Sequence, residues 1–422
     1  MSKPFTTTKT LQNPSLRKFL KNTVFTAAAL GFPPLFADPQ YKTLELIGGA
    51  TGQDANWVRQ AILALWHERE MGRITPLIRL KVPFQPKISI YFKNESKSPT
   101  GSLKHRVAWG LLMDALVNGK IGPQTRLYEA SSGNTAIAEA YFSKLLDLPF
   151  TAVVRPGTSE GKLNAIRGFG GQVKIVADGQ SPASYIAEVL SNDKLAYNIN
   201  QFANTEKSLD YFRGRTDLSM NIANEVFKQL HQRYHTTCPE WFVAGAGSGG
   251  TATSIARFIR KWADQGNSGL ARLAVVDPED SALYPWYQTG DPNVTVSKGS
   301  RIEGIGSRGP VVFGSTFSLL REGVSRMIKV PDTDSIAGMR LVSRLIGQEV
   351  GPSTGTNFCG ALHLADELAK RGEKASIVMI VCDDGSRYRD NYYNPTWLRE
   401  SGLESDDRLR RMETFWTTGI WT

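Results

Sequence analysis

Apolar and polar positions alternate along this chain in two rhythms. Between about residues 60 and 400, short β-branched or apolar runs such as "KISIYFKNE" (87–95), "WFVAGA" (241–246) and "ASIVMIV" (375–381) are separated by stretches with apolar residues at helical spacing, such as "HRVAWGLLMDALVNGK" (105–120). The runs read as strands, with 87–95 alternating in the manner of a half-buried strand, and the longer stretches read as helices. Strand and helix alternate with glycine-rich turns and no internal repeat, so the expected fold class is α/β, with mostly parallel sheets flanked by helices. The 422 residues, 41% of them hydrophobic, can build one or two domains.

Charge changes this picture little. The net charge is +10 with a pI near 9.4, but Lys and Arg are scattered among acids and form no basic stripe interleaved with aromatics. No nucleic-acid partner is expected on that ground. The three cysteines, Cys238, Cys359 and Cys382, lack CxxC spacing and read as small packing residues. His231 and His235 stand four apart on a helical pattern without a third ligand nearby, so no metal site is expected.

The N-terminus reads differently. "SLRKFLKN" followed by the uncharged apolar "TVFTAAALGFPPLFA" has the order of a signal peptide, placed at 1–37 within an N-terminal extension 1–56. Export is the favoured localisation, and a cytoplasmic protein with a packed N-terminal arm is the alternative. Pro33 and Pro34 argue against a continuous membrane-spanning helix, and no other segment is suited to crossing a bilayer.

Candidate chemistry sits in five loops. "SPTGSLKHR" (98–106) puts Lys104 at a loop-to-helix junction, where the positive end of the helix favours loss of its proton. "EASSGNTA" (129–136) gathers Ser131, Ser132, Gly133, Asn134 and Thr135 at a helix start, the kind of cradle that holds a carboxylate, although a well-capped loop looks similar. Gly247, Ser248, Gly249, Gly250 and Thr251 follow an apolar strand and open a helix, which suits one phosphate. Ser353, in "VGPSTGTN", and Asp383, Asp384 and Gly385, at the end of an apolar run, complete the set. The last four of these are expected after strands, at the carboxyl ends of a parallel sheet.

A lone lysine, a phosphate loop and a carboxylate loop together suggest pyridoxal 5'-phosphate and an amino-acid substrate. From about residue 70 to 395 the chain resembles the fold-type II pyridoxal-phosphate enzymes of the cysteine synthase and cystathionine β-synthase family, which have the tryptophan synthase β-like fold. The resemblance rests on "PTGSLKHR", "SSGNTA", "NQFAN" (200–204), "GSGGT", "RIEGIG" (301–306) and "PSTG", in the family's order. It implies that Lys104 carries the cofactor and acts in catalysis. It further implies that Asn134 meets the cofactor's phenolic oxygen, residues 247–251 hold its phosphate and Ser353 faces its pyridine nitrogen. Ser131, Ser132, Gly133, Thr135 and Gln201 would bind the substrate carboxylate, and "RIEGIG" would line the mouth of the site.

Ser131 and Ala136 stand where the family has threonine and glycine, and His105 follows the lysine in place of another polar residue. The combination is most similar to the cysteine synthase-like L-cysteine desulfhydrases. It implies β-elimination on L-cysteine to hydrogen sulfide, pyruvate and ammonia, with cysteine synthase or a related β-replacement activity as the alternative. A homodimer is implied as well. The expected domains are a smaller one at 98–204, a larger one from 57–97 with 205–400, and a tail, 401–422, whose aromatics would cover a neighbouring surface.

Overall fold

The computed structural model describes residues 53–72, 74–208, 220–266, 270–309, 311–312, 315–316 and 319–421. The signal-like segment 1–37 and most of the extension 1–56 lie outside them. Among the described residues no helix is long and apolar enough to cross a membrane.

Two sheets carry the site, and both are mostly parallel. The larger joins β1 (Leu77–Lys81), β2 (Ile88–Asn94), β7 (Trp241–Gly245), β8 (Arg272–Pro278), β11 (Arg326–Val330) and β12 (Ala375–Val381) in the order β1-β2-β12-β7-β8-β11. Only β1 runs antiparallel to its neighbour. The smaller joins β3 (Arg126–Glu129), β4 (Phe150–Val154), β5 (Gln172–Ile175) and β6 (Ala196–Asn198) as β5-β4-β3-β6, all parallel. A short antiparallel pair, β9 (Val311–Val312) with β10 (Ser315–Thr316), stands apart. Parallel strands need crossover helices on their faces, and both sheets have them.

The expected strand at 87–95 forms as β2, but it does not alternate in burial. All seven of its residues are buried, because it lies between β1 and β12 with helices packed on it. Its Lys93 is accommodated by donating from Nζ to Glu225 Oε2 (2.7 Å), Gln229 Oε1 (2.9 Å) and the Thr75 carbonyl (2.9 Å).

Two further expectations are corrected. Helix Gln53–Met71, placed by sequence with the larger unit, buries Val58, Ile62 and Leu65 in the core of the smaller one, against Trp109 and Leu112 of helix Lys104–Val117. The "GPSTG" stretch does not follow a strand. It follows helix Asp332–Ile346, which Gly347 ends at φ +65, and it opens helix Pro352–Lys370. In the tail 401–422, helix Asp406–Thr418 packs Leu409, Met412, Phe415 and Trp416 into the core shared with β2, β7 and β12.

Candidate active site

The turn "SPTGS" is stitched to the end of β12, and this fixes where Lys104 stands. Ser98 Oγ donates to the Ser102 carbonyl (2.7 Å) and accepts from the Ser102 amide (3.0 Å). Leu103 N donates to the Cys382 carbonyl (2.8 Å), and Asp384 N to the Gly101 carbonyl (3.0 Å). Gly101 takes φ +70 with the Arg387 guanidinium 2.9 Å from where a Cβ would be, so a side chain there is strained as well as crowded. Lys104 is the first residue of helix Lys104–Val117 and is half-buried at the base of a cavity of about 550 Å³. Burial pushes its amine below the usual lysine range, opposed by Cys382, Asp383 and Glu139.

The same cavity is lined by Ser131, Ser132, Gly133, Asn134, Thr135 and Gln201. Helix Asn134–Leu145 starts there without a side-chain cap, leaving amides free to meet an anion. Thr135 Oγ1 donates to Gln201 Oε1 (2.9 Å), and the Gln201 amide donates to Glu129 Oε2 (3.1 Å).

A second, narrower cavity of about 50 Å³ adjoins the first at Lys104 and Asn134 and is lined by Gly247–Thr251, Ser353, Asn357, Cys382 and Asp383. Helix Gly250–Asp264 also begins without a side-chain cap. Gly249 takes φ +84, and a Cβ there would lie 2.4 Å from the Leu319 amide. Such a loop suits a phosphate: backbone amides at a helix N-terminus, with no side chain in the way. Deeper in, Asn357 Nδ2 donates to the Ile380 carbonyl (2.8 Å) and lies 3.3 Å from Cys382 Sγ, whose thiol burial pushes up to about 12. Cys382, like Cys238 and Cys359, is a buried free thiol.

The glycine loop at an uncapped helix end, the lysine amine without a hydrogen-bonded partner among the described residues, and the orphaned Asp383 Oδ1 fit a phosphorylated aldehyde cofactor. The family model for "Pyridoxal-phosphate dependent enzyme" matches residues 69–383, a span that includes every one of these loops. The chain belongs to this family of pyridoxal-phosphate dependent enzymes. It is 39% identical over 371 residues to the L-cysteine desulfhydrase Cds1 of Mycobacterium tuberculosis (strain ATCC 25177 / H37Ra), covering 87% of this chain and 96% of that protein. The solved structure of a hydrogen sulfide-producing enzyme (Fn1220) from Fusobacterium nucleatum superposes with a TM-score of 0.62 at 23% identity, over 81% of this chain and 99% of that one. An O-acetylserine dependent cystathionine beta-synthase from Helicobacter pylori does so with 0.60 at 26%, over 77% and 97%.

In this pyridoxal-phosphate enzyme the cavities gather Lys104, Ser131–Thr135, Gln201, Gly247–Thr251, Ser353 and Asp383 from the residues singled out from sequence, leave out Asp384 and Gly385, and add others. Asp383 Oδ2 accepts from Asn134 Nδ2 (2.6 Å) and from the Tyr388 hydroxyl (2.5 Å). Arg387 donates to Asn134 Oδ1 and to the Thr100 carbonyl (2.5 Å). Both ends of the Asn134 amide are therefore engaged. Burial raises the Asp383 carboxyl above its ordinary range, against the hydrogen bonds from Tyr388 and Asn134. Across the mouth, Lys162 Nζ bonds both Glu303 oxygens (2.8 and 2.9 Å), joining helix Glu160–Gly168 to the "RIEGIG" loop. "DDG" and "RIEGIG" signalled part of this, but nothing local in the sequence marks Arg387, Tyr388 or Lys162.

Proposed function

We propose that this protein is an L-cysteine desulfhydrase, releasing hydrogen sulfide, pyruvate and ammonia by β-elimination. The observation that carries the reading is the convergence of Lys104, an uncapped glycine loop and an uncapped Ser/Thr loop on joined cavities, in a chain 39% identical to a desulfhydrase along most of its length. Lys104 would bind the cofactor, with Gly247–Thr251 on its phosphate and Ser353 beside its ring nitrogen. When bound, the cofactor supplies an electron sink that weakens bonds at the substrate's Cα.

The chain's own residues do the rest. Ser131, Ser132, Gly133, Thr135 and Gln201 would hold the substrate carboxylate at the amides of helix Asn134–Leu145. That restraint fixes the Cα–H bond toward Lys104, and orientation of this kind is worth up to about 7–11 kcal/mol in the best intramolecular cases. The Lys104 amine, whose hold on a proton burial weakens, takes the Cα proton as general base. A neutral hydroxyl at Ser353, rather than a carboxylate, leaves the ring nitrogen without a charged partner, which favours prompt loss of the β-substituent over a lingering carbanion.

The test is a visible spectrum of the holoenzyme and of Lys104→Ala, with sulfide and pyruvate assayed after adding L-cysteine. A cofactor band and both products that disappear with Lys104 support the reading. Cofactor binding without either product would overturn it. The likeness to an O-acetylserine dependent synthase keeps β-replacement as the second reading, favoured if turnover of O-acetylserine with sulfide exceeds that of cysteine. Residues near 98–204 are proposed to close over the substrate as the smaller domain, and a homodimer is proposed for the assembly, to be checked by light scattering.

A further inference from the structure

The cavity that Lys104 opens into has a volume of about 550 Å³, within the range of pockets that enclose whole drug-sized ligands. Once a substrate's carboxylate is held at the Ser131–Thr135 loop and its Cα at Lys104, all that is left of L-cysteine is a CH2–SH arm. An arm that short needs no apolar surface beyond it.

Such a surface is nevertheless there, because Ile137, Ala165, Phe202 and Ile305 all line this cavity. Ile137 lies one turn beyond Asn134 in helix Asn134–Leu145, on the same side as the residue that opens the helix. Phe202 follows Gln201, whose Oε1 accepts from the Thr135 hydroxyl (2.9 Å), so the ring is carried beside the carboxylate loop. Ala165 stands one turn after Lys162 in helix Glu160–Gly168, and Lys162 is the residue whose ion pair with Glu303 spans the mouth. Ile305 comes from the loop on the other side of that pair. Its Cγ2 lies 2.7 Å from where a Cβ at Gly245 would be, which packs it on the end of β7. Gly161 lines the cavity as well, and a Cβ there would meet nothing closer than Asp390 Oδ2 at 3.9 Å, so this part of the wall has open space. None of these residues has a task in holding the cofactor, binding the carboxylate or moving the Cα proton. Water held against an apolar wall is released when an apolar group covers it, and the wall therefore favours a substrate that carries one.

We propose that the site also cleaves S-substituted L-cysteines whose sulfur carries a compact apolar group, with Ile137, Ala165, Phe202 and Ile305 as the wall that selects for that group. The proposal rests on the β-elimination reading and adds a substrate class to the same site. The Cα proton passes to the Lys104 amine, the Cβ–S bond breaks with its electron pair going to sulfur, and the proton held by Lys104 lets the sulfur leave as a thiol. Water hydrolyses the released enamine to pyruvate and ammonium. One thioether and one water are consumed, and no oxidant or reductant is needed.

The experiment gives the holoenzyme L-cysteine, S-propyl-L-cysteine and S-(2-hydroxyethyl)-L-cysteine in separate assays and measures pyruvate together with sulfide or the released thiol. The last two substrates have arms of the same length and differ in a methyl against a hydroxyl. Pyruvate and propanethiol are expected in equal amounts, with kcat/KM for the propyl thioether about tenfold or more above that for the hydroxyethyl one. Ala165→Phe fills the open part of the wall, and it should lower kcat/KM for the propyl thioether about tenfold or more while L-cysteine stays within about twofold of wild type. The comparison of the two thioethers needs only wild-type protein, so it decides the matter even if Ala165→Phe fails to fold. Sulfide and pyruvate from L-cysteine with no thiol from the propyl thioether would overturn the proposal and leave the desulfhydrase reading standing. Equal turnover of the two thioethers, or a folded Ala165→Phe that slows L-cysteine as much as the thioether, would overturn it too. No pyruvate from any of the three, in protein that shows the cofactor band, would refute the β-elimination reading itself and the proposal with it.

Discussion

At Gly249 the backbone sits at φ +84 with the Leu319 amide 2.4 Å from any added Cβ. Gly249→Ala is therefore strained twice, by conformation and by collision with backbone that cannot swing away. We expect cofactor affinity to drop on the order of tenfold or more, read as the cofactor concentration needed to restore the visible band. Asn134 depends on residues far along the chain. Arg387→Met removes the charged donor to its carbonyl, and a bond of that kind is worth about 1.5–3 kcal/mol. The expected result is a fall in kcat/KM of about tenfold or more, with folding unchanged by circular dichroism. The contrast explains what the sequence showed. Lys104 and the glycine loops were legible because a turn and the helix it opens are local chemistry. Asp383 and Asn134 meet across 249 positions, and no local pattern encodes that meeting.

Helix Lys104–Val117 is anchored two residues after its lysine. Arg106 donates from Nε to Glu95 Oε2 (2.7 Å) and from its terminal nitrogens to Glu225 (2.7 and 2.9 Å), and Lys93 and Arg69 also bond Glu225. The helix is thereby tied to the region just past β2 and to helix Ile222–Tyr234. Removing one partner of a buried charged cluster leaves the others uncompensated, so Glu225→Ala should destabilise by about 3–5 kcal/mol in urea unfolding. Burial alone would raise the Glu225 carboxyl, but Arg106, Lys93 and Arg69 outweigh it and hold it well below its ordinary range. A carboxyl lowered on folding adds stability above its unfolded pKa near 4.3, and that stability is lost as pH falls toward the folded value. Acid unfolding of wild type should therefore be steeper below about pH 4 than that of Glu225→Gln. At this scale the pattern of strands and helices was readable from periodicity. The burial of β2 was not, because Ser89 and Lys93 gave it the alternation of a half-exposed strand.

The two sheets meet at the cleft, and the Lys162–Glu303 pair spans its mouth. Both side chains are partly exposed, so the pair contributes about 0.2–1 kcal/mol at most, and Glu303→Gln should leave Tm within about 2 °C of wild type. Its expected effect is kinetic: KM changes, and the salt dependence of kcat/KM flattens because a screened charge pair no longer closes the mouth. The α/β class and parallel sheets followed from the alternation of elements. The packing of helix Gln53–Met71 and of helix Asp406–Thr418 did not, because an amphipathic helix shows that it has an apolar face and not which core receives it. The larger sheet also has a consequence for synthesis. β12 is synthesised after every other strand described, yet it separates β2 from β7 and carries the backbone to which the lysine turn is stitched. Until that strand emerges, β2 lacks its central neighbour and Lys104 has no fixed position. The nascent chain can assemble the smaller sheet early, but it gains a place for its cofactor only after β12 has emerged, so intermediates that lack that strand should be inert toward the aldehyde.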